Sequence, residues 1–276
     1  MNFKLLLMEN NTYHLLSLVR EKSPLVHNIT NFVVMNNTAN ALLALGASPI
    51  MVHAKEELAD VLNICNSLLI NIGTLSKEWA LSMIKAAEIV KELQKPWVLD
   101  PVGAGISNLR NETLQLLLEI NPTVIRGNAS EIIALQNFNK KGGKGVDSTA
   151  ASSSAVEAGK QLNKEYGSII CISGEVDYII SRDEIIEVAN GSVMMTKVTG
   201  LGCTSSAIIA AFLGLNKNPL EEVVAGVAIT SLAGELAASI SKGPGTLQMN
   251  LYDILYNLSK EQIIKHLKLK KYAYTS

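Results

Sequence analysis

The sequence predicts an α/β fold, a mostly parallel central sheet with helices on both faces. Three observations carry this. Short, nearly all-apolar runs such as residues 67–72 and 97–99 alternate with segments of helical apolar spacing, the pattern of strands buried on both sides. The chain has 276 residues, 48% of them hydrophobic, enough for a core that needs no staples. No repeat, low-complexity tract or linker divides it, so residues 1–276 read as one domain.

The elements follow in order. Residues 13–22 form an amphipathic helix, and Pro24 opens an extended piece at 25–27. Apolar positions recur helically over 32–45, with Gly46 as the stop, and 48–52 read as a strand. The chain then alternates: helix 54–63, strand 67–72, helix 76–93, strand 97–99 ending in Asp100, helix 108–120, strand 123–125 and helix 129–136. Residues 139–148 contain Lys-Lys-Gly-Gly-Lys-Gly but lack the Gly-Lys-Ser/Thr ending of a phosphate loop, and no apolar strand leads directly into them, so they read as a solvated loop. After a helix at 152–166 come strands 168–173, 176–181 and 184–188, the last two a hairpin about Arg182-Asp183. A helix starting near Cys203, a second at 219–241 and a third at 246–268, interrupted around Ser259, complete the pattern.

Charge and cysteines narrow the function. A net charge of −1 points to neither nucleic acid nor an anionic membrane as partner. Three scattered cysteines, Cys65, Cys171 and Cys203, fit a reducing compartment and a cytoplasmic protein. The N-terminal apolar run is too short for a secretory signal, and the long run at 223–240 carries Glu235 and many small residues, so it reads as a buried helix.

Ligands of an open parallel sheet bind beyond the carboxyl ends of its strands. Lys197-Val198-Thr199-Gly200-Leu201-Gly202-Cys203 leads into a helix whose unpaired N–H groups and positive dipole end favour a phosphate or oxyanion. Its two glycines leave backbone open to such a group. Asp100 follows an apolar strand, where a carboxylate needs partners. Arg126 suits a triphosphate, and Asp100 and Glu131 are hard oxygen donors suited to Mg²⁺. Asn128 and Glu131 fit equally well as a helix cap. Asn71-Ile72-Gly73-Thr74 and Ile172-Ser173-Gly174 add hydroxyls and glycines at two more strand ends.

In order and spacing, Asp100-Pro101-Val102-Gly103-Ala104-Gly105, Arg126-Gly127-Asn128-Ala129-Ser130-Glu131 and Val198-Thr199-Gly200-Leu201-Gly202-Cys203 resemble the hydroxyethylthiazole kinase family, part of the ribokinase-like superfamily. Three further stretches sharpen the resemblance: Ser23-Pro24-Leu25-Val26-His27-Asn28-Ile29-Thr30-Asn31, Ala44-Leu45-Gly46-Ala47-Ser48-Pro49-Ile50-Met51 and Asn71-Ile72-Gly73-Thr74-Leu75. The resemblance implies a three-layer α/β/α fold and phosphorylation of the hydroxyl of 4-methyl-5-(2-hydroxyethyl)thiazole with ATP and Mg²⁺. It also implies a homotrimer with substrate sites between subunits. By position, Met51 and Gly200 match thiazole-contacting residues, with Asn28 and Asn31 as further substrate-side candidates. Arg126 and Ser173 match ATP contacts, and Asp100, Asn128 and Glu131 positions near metal and phosphates. Cys203 stands where most relatives in the superfamily carry an aspartate base; a helix-start thiol beside a Mg-bound nucleotide suits a lowered pKa, and the expected catalytic role is to orient the acceptor hydroxyl and assist modestly. Leu201 departs from the small residue usual between the two glycines. A kinase for another small alcohol such as hydroxymethylpyrimidine, an ATP- or ADP-dependent dehydratase of hydrated NAD(P)H, and a non-catalytic sensor are the alternatives.

Overall fold

The computed structural model describes residues 3–138, 151–182 and 184–274; the loop expected at 139–148 lies outside them. Strands β1 (Leu25–Ile29), β2 (Ser48–Ile50), β3 (Ser67–Asn71), β4 (Trp97–Asp100), β5 (Val124–Asn128), β6 (Ile169–Ser173), β7 (Asp177–Ser181), β8 (Glu184–Val188) and β9 (Leu269–Ala273) form one sheet. Its order is β2-β1-β3-β4-β5-β6-β7-β8-β9. Strands from β2 to β6 pair in parallel, and β6 to β9 pair antiparallel.

Successive strand residues point to opposite faces, and the core divides accordingly. Val26, Leu69, Val98 and Val124 feed one apolar cluster, shared with α1 (Phe3–Lys22), α2 (Met35–Leu45), α8 (Leu201–Leu213), α9 (Pro219–Ile240) and α10 (Pro244–Asn257). Leu68, Ile70, Leu99 and Ile125 feed the other, shared with α3 (Leu58–Ile64), α4 (Lys77–Glu92), α5 (Asn108–Glu119), α6 (Ala129–Asn137) and α7 (Ala151–Tyr166). Strands with a helical layer on each side need apolar residues at every position, which is why they read as continuous runs.

Local chemistry sets several boundaries. Gly46 closes α2 at φ +104°, its N–H reaching the carbonyls of Leu42 and Leu43. The expected break near Ser259 has a cause, because Ser259 and Gln262 form a reciprocal cap that starts α11 (Lys260–His266) afresh. Helix α9 is long and apolar enough to span a membrane, yet 72% of its apolar window is buried within the fold. Strand β9 has no counterpart in the sequence pattern. Only Leu269 of that strand is buried, so it carries almost no apolar signal, and Lys270 and Lys271 give the sheet the charged edge that discourages further pairing.

Candidate active site

The period of two along each strand assembles the site. Asn71, Asp100 and Arg126 lie two residues beyond Leu69, Val98 and Val124, and Ser173 two beyond Cys171; those four core residues face α8. The polar strand ends therefore converge on the start of α8. Strand order also reverses at β1, where β2 pairs on one side and β3 on the other, and in such sheets the crevice opens between the diverging loops.

Asp100 is 2% exposed. Its Oδ2 accepts from Asn71 Nδ2 at 2.6 Å and from Ser206 Oγ at 2.8 Å; among the described residues no hydrogen bond reaches Oδ1. Burial pushes its pKa up to about 6; the Arg126 charge and the Ser206 hydrogen bond pull it down, and Glu131 works against them. Asn71 Oδ1 accepts from Asn31 Nδ2 at 2.8 Å, and Asn31 Nδ2 also points at Cys203 Sγ, 3.6 Å away. Asp100 and Cys203 are thus joined through the Asn71 amide, which reaches the thiol itself, and through Asn31.

Helix α8 starts after Gly200, whose φ is +79°, and no side chain caps it. Thr204 N–H is the first amide into its ladder, bonding Gly200 O at 2.9 Å, so the amides before it are available to an anion. A Cβ on Gly202 would stand 2.9 Å from Arg126 Nη1, placing the guanidinium directly against this turn. From there a cleft of about 840 Å³ runs past Ser173, Asp177, Met195 and Lys268. Open amides, a cation and a buried carboxylate beside a cleft of that size suit a phosphorylated ligand larger than phosphate itself.

Residues 16–261 match the model of the hydroxyethylthiazole kinase family. The chain is 51% identical over 261 residues to the hydroxyethylthiazole kinase of Leptospira biflexa, covering 94% of this chain and 97% of that one. The chain belongs to the hydroxyethylthiazole kinase family. A solved structure of the Pyrococcus horikoshii family protein superposes with a TM-score of 0.88 at 39% identity, over 95% of this chain and 98% of that one. The pyridoxal kinase of Staphylococcus aureus matches in fold, with a TM-score of 0.64 at 16% identity over 90% and 98% of the two chains. The fold is ribokinase-like.

Within this hydroxyethylthiazole kinase family member the other expected site residues fall into groups. Gly200 packs on the entrance to α2, where a Cβ would lie 2.2 Å from Val34 Cγ1, so only glycine fits. Met51 is half-buried just after β2, and His27 Nε2 fixes the next residue through Val52 O at 2.7 Å. Asn28 is buried and bonds inward, donating to Val26 O at 2.8 Å. Asn128 and Glu131 form a reciprocal helix cap. Glu131 Oε2 accepts from Asn128 N at 2.8 Å and Oε1 from Gly103 N at 3.0 Å, so both its oxygens already serve the protein. Leu201 is buried in the core cluster while bordering the cleft beside Gly202.

One expectation is corrected. The Cys203 thiol is not lowered: burial, then the Asp100 carboxyl, pushes its pKa up to about 11 in the ligand-free protein, and the Asn71 and Asn31 amides offset this only in part. The position at a helix start favours a thiolate, but burial beside a carboxyl outweighs it.

Four residues of the site were not singled out in the sequence. Asn71 belongs to the strand-end stretch Asn71-Ile72-Gly73-Thr74, where the α8-facing period of β3 marks it, and Ser206 lies one turn into α8 past Cys203. Arg110, on α5, donates to the carbonyls of Ile72, Gly73 and Val102 and so ties the loops after β3 and β4 together. Asp177 accepts from Ser231 Oγ at 2.7 Å and from Gly174 N at 3.1 Å, fixing the turn after Ser173. Neither has a local sequence signal, because the partners of each lie in other elements or are backbone.

Proposed function

We propose that residues 1–276 act as one kinase domain that transfers the γ-phosphoryl group of ATP to the primary hydroxyl of 4-methyl-5-(2-hydroxyethyl)thiazole in the cytoplasm, the salvage step that makes the thiazole phosphate for thiamine. The observation that carries this reading is the meeting of the uncapped start of α8 and Arg126 on the wall of one cleft, with the buried Asp100 carboxyl beside Arg126, in a chain about half identical to hydroxyethylthiazole kinases. Arg126 and Ser173 hold the triphosphate, and the amides before Thr204 receive the charge that spreads over the phosphoryl group. Gly200, Asn31 and Met51 form the acceptor side.

Mg²⁺ fits this donor set in one form. Among the described residues no group of three or more His, Cys, Asp or Glu could hold a metal ion, so a cage made by the protein alone is absent from them. Asp100 Oδ1 is the carboxylate oxygen left to a cation, and Glu131 would act through water because both its oxygens are engaged. That matches an ion held largely by phosphates and water with one or two carboxylates. When bound, Mg²⁺ neutralises charge on the phosphates. Cys203, protonated at neutral pH, orients the acceptor hydroxyl, and a loose transition state asks little of a base.

Exposed Phe32 and Val33, 66% and 58% accessible beside Asn31, support a neighbouring subunit covering the acceptor side, in the homotrimer that the family resemblance implies. The deciding experiment measures ADP release with Mg·ATP and, in separate reactions, the thiazole alcohol, hydroxymethylpyrimidine and hydrated NADH. Turnover confined to the thiazole alcohol is expected. Turnover only with either of the others overturns the reading, and tight binding without turnover of any would make the protein a sensor.

A further inference from the structure

Resting on the kinase reading above, we propose that Asn71 is the positioning residue that couples the acceptor side of the site to its phosphate side, one amide setting Asp100 and Asn31 at the same time. Asn71 is fully buried at the last position of β3, and every polar atom of its side chain is spoken for. Nδ2 donates to Asp100 Oδ2 at 2.6 Å, while Oδ1 accepts from Asn31 Nδ2 at 2.8 Å and from Gly73 N at 3.0 Å. The amide therefore has one workable orientation, since a flip would set donor against donor at Asn31 and oxygen against oxygen at Asp100.

That orientation propagates in both directions. Asn31 must turn Nδ2 toward Asn71, and the same nitrogen then faces Cys203 Sγ while its Oδ1 accepts from Val33 N at 3.1 Å. Asp100 must commit Oδ2 inward, where Ser206 also holds it, which leaves Oδ1 for the phosphate side. Backbone around the amide leaves no slack. A Cβ on Gly73 would come within 2.6 to 2.7 Å of three Asn31 side-chain atoms, so the chain leaving β3 closes directly over that amide. A second bond, from Phe32 N to Thr74 Oγ1 at 3.1 Å, links the same two loops. These bridges cross the crevice between β1 and β3, where the two halves of a sheet ligand site are otherwise held only by their separate loops.

A buried asparagine that merely satisfied a strand end would affect stability and leave the reaction alone. A coupling asparagine makes a different prediction, because misplacing either reacting group by about 1 Å lowers turnover roughly a hundredfold. The test compares kcat, KM for ATP and KM for the thiazole alcohol in wild type, Asn71→Thr, Asn31→Ala and the double variant. Threonine suits a strand, and its hydroxyl is too short to reach both partners. Asn71→Thr is expected to lower kcat about tenfold or more, with both KM values within about threefold of wild type. The double variant is expected to be no worse than the poorer single variant, as two links of one chain behave. An Asn71→Thr kcat within about twofold of wild type, a loss confined to KM, or losses that multiply in the double variant would each overturn the inference. Should Asn71→Thr not fold, Asn71→Asp carries the same comparison, keeping the acceptor toward Asn31 and removing the donor toward Asp100. Wild type is assayed alongside: a wild type that does not phosphorylate the alcohol removes the kinase reading itself, whereas an active wild type with an unimpaired Asn71 variant removes only the coupling.

Discussion

Asp100 is held by two donors on one oxygen, and the fold raises its pKa from 3.8 to about 6. A carboxyl that binds its proton more tightly folded than unfolded contributes stability at low pH, and that contribution is lost as pH rises from about 4 through about 6. Two pKa units correspond to about 3 kcal/mol at neutral pH. Asp100→Asn keeps an acceptor for Asn71 and Ser206 without the buried charge. The ligand-free variant should therefore melt higher than wild type at pH 7.5, the difference should vanish near pH 4, and phosphoryl transfer should be abolished; thermal unfolding across that range with a turnover assay checks all three. Cys203 offers a second reading of the same electrostatics. With its pKa up to about 11 and Cys65 and Cys171 buried, iodoacetamide at pH 8 should label the ligand-free enzyme at Cys203 alone and much more slowly than free cysteine, because thiolate is the attacking form. Fast labelling at pH 8 would return the thiol to the role of base. The residue types at these positions were legible in the sequence; their protonation was not, since burial and neighbours fix it and both come from distant strands.

At the level of elements, the strand ends, the glycine turn and the helix after it could be read from spacing, because each rests on local periodicity. The residues that lock elements to one another could not. Lys95 shows why: it follows α4 in sequence, yet its Nζ donates to the carbonyls of Leu62, Asn63 and Cys65, all at 2.7 Å, at the C-terminal end of α3. A cation there meets the negative end of the helix dipole and carbonyls with no helical partner. Lys95→Met should cost about 1–2 kcal/mol in urea unfolding and leave kcat unchanged, since the contact lies at the opposite end of the sheet from the site. Gly200 sits at the other extreme, where geometry and function coincide. Gly200→Ala must place a methyl group 2.2 Å from Val34 at φ +79°. Displacement of the α8 entrance should then destabilise the protein by about 2 kcal/mol and lower kcat. Val34→Ala in the same chain should recover part of both losses; no recovery would show that strain at φ +79° alone accounts for them.

Across the whole molecule, the two helical layers do different work. The layer containing α3 to α7 shields the sheet, whereas the layer containing α2, α8 and α10 carries the glycine turn before α8 and the loop before α2, to which the proposed function assigns the phosphoryl group and the acceptor. Phe32, Val33, Leu43 and Met249 are all more than half exposed on α2, its entrance and α10, as are Ile64 and Leu81 on the other layer, but the first four share a layer with the loop that holds Asn31. Those helices pack against each other, and Gln248 of α10 donates to Asn37 of α2 at 2.9 Å. Apolar surface of this kind beside a substrate site is what a neighbouring subunit covers. If subunits do cover it, the acceptor side is complete only in the oligomer and the ATP cleft is complete in each chain. Replacing Val33 with aspartate should then shift the mass in light scattering from trimer to monomer. The same variant should raise KM for the thiazole alcohol far more than KM for ATP, because the cleft lined by Arg126, Ser173 and Gly202 lies within one chain. A variant that remains trimeric with both KM values unchanged would separate that surface from the acceptor site, and equal rises in the two would show that the subunit contact supports the whole fold and not the acceptor half.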